Sequence, residues 1–418
     1  MRVELINTGT ELLLGNTLNT HLVFLGEKLM AAGLRMARQV AIPDGNILRD
    51  VLVETFARTD IVLVTGGLGP TSDDTTRELV AEFFGVELRE DAQVLAQVTA
   101  YLSGRGREIT PNIRRQALVP EGAVVLPNAF GTAPGFYFSP RAVPGHPGLT
   151  CPHLFLLPGP PRELHPMYER SVEPMLRQFC QETPTAGKMR NFRLTGVGES
   201  LVADTVEAPL RQLGEDLEIG YCARIGEVVV RCIGTPAQLE GALHVVAAAF
   251  PQQFFSDADE PLEKVVIDLL TTFGRTVSTA ESCTGGFISH RLTNVPGASA
   301  VFPQARITYA NEAKRDLLGV PQAMLDAHGA VSAEVCAAMA GGCLERSSTD
   351  HALAVTGIAG PSGGSAQKPV GTVFVGLASK TGAPVVERHQ FPFERESFKF
   401  AASQAALDLL RRRLVGLV

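Results

Sequence analysis

The chain lacks most of the features that would place it outside the ordinary globular enzymes. Its 418 residues include seven cysteines, an odd count, and no two of them form a C-x-x-C pair. A disulfide framework and a structural zinc site are therefore not expected, and a reducing compartment, the cytoplasm, is. Long apolar runs are missing too. Residues 61–64 and 154–157 are strand-sized stretches, far short of the roughly 20 residues a membrane span needs. No secretory leader is read at the start, where residues 2–6 form a polar-flanked strand. Clustered positive charge is scarce: the net charge is -7, and the one dense basic run is Arg411-Arg412-Arg413. A phosphate backbone is gripped by Lys and Arg clusters, so no nucleic-acid surface is expected, and the arginine run reads as a solvated helix face.

What is present describes a soluble protein with more than one core. Hydrophobic residues make up 45% of the chain and charged residues 19%, a balance that fits neither disorder nor a membrane protein. A chain of this length is expected to divide into two or three domains. Three blocks are read, with boundaries at 1–178, 186–255 and 261–418.

The first block alternates strands and helices, which predicts a doubly wound α/β domain. Strand 3–7 is followed by a helix over 20–32. Strand 60–64 is apolar on both faces and so belongs at the centre of a parallel sheet. It runs directly into Thr-Gly-Gly-Leu-Gly-Pro (65–70), then Thr-Ser-Asp-Asp (71–74), a string of good N-caps before a helix over 75–84. Strand 153–157 follows, and the Pro/Gly-rich stretch 138–153 reads as an extended loop. The second block, β-α-β-β-α in order, suits a small α+β module bracketed by linkers at 182–188 and 252–261. The third block is again mixed α/β. Strand 277–280 leads into a turn and a helix over 286–294, and strand 352–355 ends in Thr-Gly-Ile-Ala-Gly-Pro (356–361).

Two turns carry candidate chemistry. Ser282 sits at a strand-to-helix junction in Ala-Glu-Ser-Cys-Thr-Gly-Gly (280–286), where its hydroxyl would project into open space. Helix-start N–H groups nearby could receive a developing oxyanion, and Gly285 and Gly286 would let a substrate approach the backbone. A serine needs a base, and Thr-Tyr-Ala-Asn-Glu-Ala-Lys (308–314) offers Tyr309 and Lys314. The lysine can serve only if burial or a neighbouring cation lowers its pKa. On residue type alone, such a turn is more often a capping turn than a nucleophile. Cys283 is a rival nucleophile, although its side chain is expected on the opposite side of the turn. In the first block, Gly66, Gly67 and Gly69 after a buried strand suit anion binding by backbone N–H groups. Neither a P-loop nor a dinucleotide fingerprint is present. Asp73 and Asp74 either cap the following helix or ligate a hard cation.

Five stretches of the third block, 280–286, 308–314, 328–332, 356–361 and 368–371, resemble in order and spacing the CinA C-terminal family, which includes the nicotinamide mononucleotide (NMN) deamidases of the PncC type. The resemblance implies hydrolysis of the NMN carboxamide to nicotinate mononucleotide and ammonia, with no cofactor. Ser282 would be the catalytic centre and Tyr309 and Lys314 its assistants. Asn311, Thr356 and Arg395 would line the site, the arginine against the substrate phosphate. Gln304-Ala305 departs from the Gly-Gly many relatives carry there. His328, in the Gly-Ala-Val-Ser turn, reads as structural. In the first block, Thr-Gly-Thr-Glu (8–11), 65–75 and 157–163 resemble the CinA N-terminal family, which is similar to MoaB/MogA-type molybdopterin-binding proteins. That implies a divalent-metal-dependent ADP-ribose pyrophosphatase, with Asp73 and Asp74 as metal ligands. A pterin- or nucleotide-binding module without turnover, serving competence or a DNA-damage response, is the alternative. The second block resembles the family's KH-like domain but lacks a G-x-x-G loop between helices, so no RNA binding is expected. A homodimer acting on small nucleotides is the expected assembly.

Overall fold

Every residue of β3 (Ile61–Thr65) is buried, the expected state of a strand covered on both faces. The computed structural model describes residues 1–180 and 188–418. The linker read at 182–188 therefore lies, up to residue 187, outside the described residues. The chain divides into two compact units, Met1–Lys188 and Met189–Val418.

In the first unit β3 lies within a six-stranded sheet. Its strands are β1 (Arg2–Thr8), β2 (Arg35–Ile42), β3, β4 (Val124–Leu126), β5 (Gly135–Phe138) and β6 (His153–Leu157), in the order β2-β1-β3-β6-β5-β4. The first four in that order run parallel, and β5 and β4 are antiparallel additions. Alternate side chains of the strands feed two cores. Val62, Val64, Leu154 and Leu156 pack with Leu48, Leu52 and Phe56 of α2 (Ile47–Phe56) and with Leu79, Val80 and Phe83 of α3 (Thr76–Phe83). Leu63, Phe155 and Leu157 pack on the other face with Leu25 and Leu29 of α1 (His21–Ala31) and with Leu164 and Met167 of α4 (Pro161–Met167). Helices on both faces of a mostly parallel sheet make the domain doubly wound, as the alternation predicts.

Two local expectations differ. The stretch between Phe138 and His153 holds a small antiparallel ladder, Arg141–Ala142 with Thr150–Cys151. Neither Asp73 nor Asp74 caps α3. The N-cap is Thr75, with no side-chain cap bond, and the Asp74 carboxylate turns back to accept from Thr71 N at 2.9 Å and from the Thr71 hydroxyl.

The second unit holds a four-stranded module and the C-terminal α/β domain. The module comprises β7 (Lys188–Thr195), α5 (Glu199–Arg211), β8 (Glu218–Arg224), β9 (Glu227–Gly234), α6 (Pro236–Ala249) and β10 (Phe254–Ser256), with sheet order β8-β9-β7-β10. The strand β10 occupies what the sequence reads as a polar linker.

The C-terminal domain orders its strands β12-β11-β13-β14-β15, from β11 (Val277–Glu281), β12 (Gln304–Ile307), β13 (His351–Gly357), β14 (Thr372–Ser379) and β15 (Val385–Gln390). The pairs β11·β12 and β11·β13 are parallel, and β13·β14 and β14·β15 antiparallel. Helices α7 (Leu262–Phe273), α8 (Phe287–Thr293) and α11 (Arg395–Leu414) bury one face of this sheet. Helices α9 (Asn311–Leu318) and α10 (Ala333–Ser347) bury the other. The buried Arg291 of α8 clamps the first group, donating to Glu263, Ser403 and Gln404, each at 2.7 Å. Losing one partner of such a buried pair costs about 3–5 kcal/mol. Arg411 of α11 donates to the Phe254 and Gln252 carbonyls, which ties the last helix to the module. All seven cysteines are unpaired. No helix among the described residues is long and apolar enough to cross a membrane.

Candidate functional site

Parallel strands β12, β11 and β13 end side by side, so the turns that follow them converge at one edge of the C-terminal sheet, as the open-sheet rule requires of a ligand crevice. Ser282 follows β11, with its N–H on the Val355 carbonyl at 3.0 Å, and Thr308 N donates to the Glu281 carbonyl at 2.7 Å. Those two bonds place the serine turn between its neighbours. A cavity of about 340 Å³ opens there, lined among others by Ser282, Tyr309, Asn311, Lys314, Thr356 and Arg395.

The centre of the cavity is a serine–lysine pair. Lys314 is 1% exposed. Its Nζ donates to the Thr308 carbonyl at 2.8 Å and the Tyr309 carbonyl at 3.3 Å, and lies 3.0 Å from Ser282 Oγ. No ion pair to Lys314 occurs among the described residues. Burial without a carboxylate holds the amine below its ordinary lysine value. A neutral amine has two N–H bonds and one lone pair. In that neutral form the two carbonyls would take the donors and leave the lone pair for the serine hydroxyl, whereas the ammonium donates to Ser282 Oγ as well.

The other predicted residues divide. Thr356 is buried, and its hydroxyl donates to the Ala330 carbonyl at 2.7 Å, so it holds the 328–332 turn against the cavity wall. Tyr309 reaches the pair through its backbone carbonyl, and the residue is 61% exposed at the rim. Asn311 and Arg395 stand at the starts of α9 and α11. Gly285 and Gly286 do not line the cavity: they take φ of +61° and +96° in the turn that launches α8. The Gly286 N–H is already bound by Glu281, so this part of the expected substrate contact is corrected. Cys283 also lines the cavity beside Ser282, but its thiol is buried against the core, which pushes it up to about 12. His328 lies outside the cavity lining, its carbonyl accepting from Lys368 Nζ at 2.8 Å.

Glu281 is the residue that sequence reading passes over. It is fully buried, and its carboxylate accepts from Gly286 N, Ile288 N and Ser289 N at 2.9–3.0 Å and from the Ser289 hydroxyl. An anion bound by the first turn of α8 fixes the path of the whole serine turn.

In the first unit a second cavity, of about 480 Å³, lies beyond the C-terminal ends of β1, β3 and β6. Gly66, Gly67, Gly69, Asp73 and Asp74 all line it. Gly66 and Gly67 take φ of +101° and +66°, and a Cβ on them would strike the Thr8 carbonyl and the Thr76 hydroxyl. Those glycines are therefore required by the turn itself. Glu11, Asp44 and Glu163 also line the cavity, and no lysine or arginine does. Among the described residues no group of three or more His, Cys, Asp or Glu side chains is placed to hold a metal ion. The protein would thus supply a cation with part of its shell at most.

Comparison with known proteins follows the same division. Residues 4–178 match the family model described as "Probable molybdopterin binding domain", and residues 259–414 that of the CinA C-terminal domain. A CinA-like protein of Akkermansia muciniphila is 46% identical over 410 residues, covering 97% of this chain and 96% of the relative. A CinA-like protein of Kosmotoga olearia is 38% identical over 426 residues, covering 100% of both. Among solved structures, the competence/damage inducible protein CihA from Agrobacterium tumefaciens is 43% identical, covering 37% of this chain and 93% of its own, with a TM-score of 0.36.

Proposed function

Because this chain belongs to the CinA family, joining a MoaB/MogA-like domain to a CinA C-terminal domain, we propose that its C-terminal domain hydrolyses the carboxamide of NMN to nicotinate mononucleotide and ammonia. The observation that carries this reading is the desolvated Lys314 amine 3.0 Å from Ser282 Oγ. In the reaction Lys314 takes the hydroxyl proton as Ser282 Oγ bonds to the carboxamide carbon. The C–N bond then breaks, with the lysine returning the proton to the departing ammonia. Water, deprotonated by the same amine, hydrolyses the acyl ester and frees the serine. Thr308 and Tyr309 carbonyls keep the amine aimed throughout. Arg395 would meet the substrate phosphate at the far side of the cavity. The reaction is tested by ammonia release from NMN with the full chain; a preparation that binds NMN and releases none overturns it.

For the first unit, the proposal is a divalent-metal-dependent ADP-ribose pyrophosphatase that yields AMP and ribose 5-phosphate. The support is electrostatic. A pyrophosphate entering a cavity lined by five carboxylates and neither lysine nor arginine would be repelled unless cations come with it. Asp73 and Asp74 fit a hard cation as two ligands, the remainder being phosphate oxygens and water, as magnesium prefers. Such an ion would neutralise charge on the reacting phosphates. AMP formation from ADP-ribose with and without added magnesium checks this, and tight ADP-ribose binding without AMP would leave a binding module instead. A cytoplasmic homodimer is the proposed working form, with the seven free thiols in keeping with a reducing compartment and light scattering as the test of assembly.

A further inference from the structure

Of the five carboxylates that line the first unit's cavity, Glu11, Asp44, Asp73 and Asp74 are exposed or half-buried, whereas Glu163 is only 8% exposed. Its place is set from three sides. The chain enters α4 through Pro158-Gly159-Pro160-Pro161, and the Glu163 N–H closes that entry on the Pro160 carbonyl at 2.9 Å. Asn128 Nδ2 donates to Glu163 Oε2 at 2.8 Å. Asn128 is itself held by the Ala133 carbonyl at 2.8 Å and the Phe130 N–H at 2.9 Å. Gly131 presses on the same carboxylate so closely that a Cβ there would overlap Oε2. A long side chain in solvent keeps several rotamers, and this one is fixed before any substrate arrives.

The two carboxylate oxygens are therefore unlike. Oε2 is taken by Asn128. Oε1 accepts from no group among the described residues, and it is not one of the sealed, unpartnered atoms of the interior, so it opens on the cavity. Arg162 Nε stands 3.8 Å from Oε1, beyond hydrogen-bond reach, on a side chain 78% exposed. Burial, only partly offset by Asn128 and Arg162, lifts the Glu163 carboxyl above the usual glutamate range, towards the pH at which a general base works best.

His21, the other proton-accepting ring or carboxylate of the lining with a buried setting, is already committed. Asn7 Oδ1 accepts from Asn19 and Gln39, which turns Asn7 Nδ2 onto Thr65 Oγ1 at 2.7 Å. The network then assigns the single Thr65 hydroxyl proton to His21 Nδ1, 3.1 Å away, and that ring's lone pair is occupied.

We propose that Glu163 is the catalytic base of the reaction of this unit: Oε1 takes a proton from water as the water oxygen bonds to one phosphorus of ADP-ribose. The bond from that phosphorus to the bridging oxygen breaks, and its electron pair leaves on the second phosphate. AMP and ribose 5-phosphate result, and Glu163 returns its proton to solvent. This assignment rests on the pyrophosphatase reading and adds to it the group that activates water.

Steady-state AMP release from ADP-ribose with magnesium, measured on the full chain, tests it. No release by the parent overturns the pyrophosphatase reading and this assignment with it. Release by the parent that is undiminished in Glu163→Gln overturns the assignment alone. The expected result for Glu163→Gln is a fall of about 10²–10⁴-fold in kcat. KM for ADP-ribose and the half-saturating magnesium concentration should each stay within threefold of the parent. A tenfold rise in half-saturating magnesium would make Glu163 a metal ligand and overturn the assignment. The parent's kcat should also fall about tenfold per pH unit below the Glu163 value, and this limb should be missing from Glu163→Gln. A limb that persists there belongs to another group, and the assignment falls. If Glu163→Gln melts earlier than the parent, Glu163→Asp carries the test. With its carboxylate one methylene short it should keep the acid limb and lose at least tenfold in kcat; full activity, or loss of the limb, overturns the proposal.

Discussion

The two predicted centres solve opposite electrostatic problems with the same architecture. Both lie where parallel strands end and turns take over. Around Ser282 the lining holds a lysine and an arginine and no carboxylate. Around Gly66 it holds five carboxylates and neither lysine nor arginine. The first centre carries its reactive groups in covalently attached side chains, tuned by burial. The second offers shape, backbone and negative charge, and on the proposed reading would take positive charge from solution. An open α/β sheet fixes where a site lies; the residues placed on its turns decide whether the chemistry is resident or imported.

The sharpest way to break this contrast is to remove the resident nucleophile. Ser282→Ala should lower ammonia release from NMN by at least about 10⁴-fold, the scale of losing a nucleophile that acts with its base as a unit. AMP release by the first unit should not change. A loss of only tenfold would move the nucleophile elsewhere.

Removing the base comes next. Lys314→Met should cost on the order of 10³-fold in kcat. The pH dependence carries the sign. On the proposed mechanism Lys314 works as the neutral amine, and burial holds its pKa below 10.5. Activity should therefore rise with pH through that depressed value and flatten above it. Stability follows the same group. Between the folded value and 10.5 the unfolded chain binds the extra proton, so the parent gains stability as pH rises through this window. Measured by thermal melting, the difference between Lys314→Met and the parent should shift in the parent's favour towards pH 10.5. A difference independent of pH would mean that the amine is not depressed in the folded protein.

The imported chemistry should respond to metal and not to the serine. Chelation should abolish AMP release from ADP-ribose, and Asp74→Asn should lower it about 10–100-fold, as loss of one metal-supporting group does. Ammonia release should survive both treatments. If chelation silenced the amidase as well, the division between resident and imported charge would fail.

Much of this was legible in the sequence, for a physical reason. A strand buried on both faces and followed by a glycine-rich turn announces a sheet centre and a crevice above it, as 60–70 and 352–361 did. The meeting of Ser282 with Lys314 is a different matter. Two such junctions make it conceivable, but local pattern does not determine it, because parallel pairing of β11 with β12 joins residues 26 apart in sequence, as Ser278 with Gln304. What local reading missed was non-local in the same way. Phe254–Ser256 is three residues beside an acidic tail and becomes a strand only by pairing with β7. Asp74 has the composition of a cap, yet Thr71 takes it. Glu281 has the look of a solvent-facing charge before a serine, and is a fully buried anion bound by a helix start. No periodicity signals that, although a carboxylate immediately before a turn and a helix could have prompted the question.

The smallest expected effect is the most discriminating. By residue type, Tyr309 and Lys314 are rival bases on equal terms. Tyr309 is 61% exposed, and no hydrogen bond from its phenol occurs among the described residues, whereas its carbonyl accepts from the lysine. A proton acceptor must lie within hydrogen-bond reach of the proton it takes, and a solvated phenol at the rim lacks that reach. Removing the hydroxyl leaves the backbone carbonyl in place. Tyr309→Phe should therefore change kcat by less than about 3-fold, with any effect falling on KM, since loss of a general base costs about 10²–10⁴-fold. A hundredfold fall in kcat at unchanged KM would show that the rim closes on the substrate and that the phenol, not the buried amine, moves the proton.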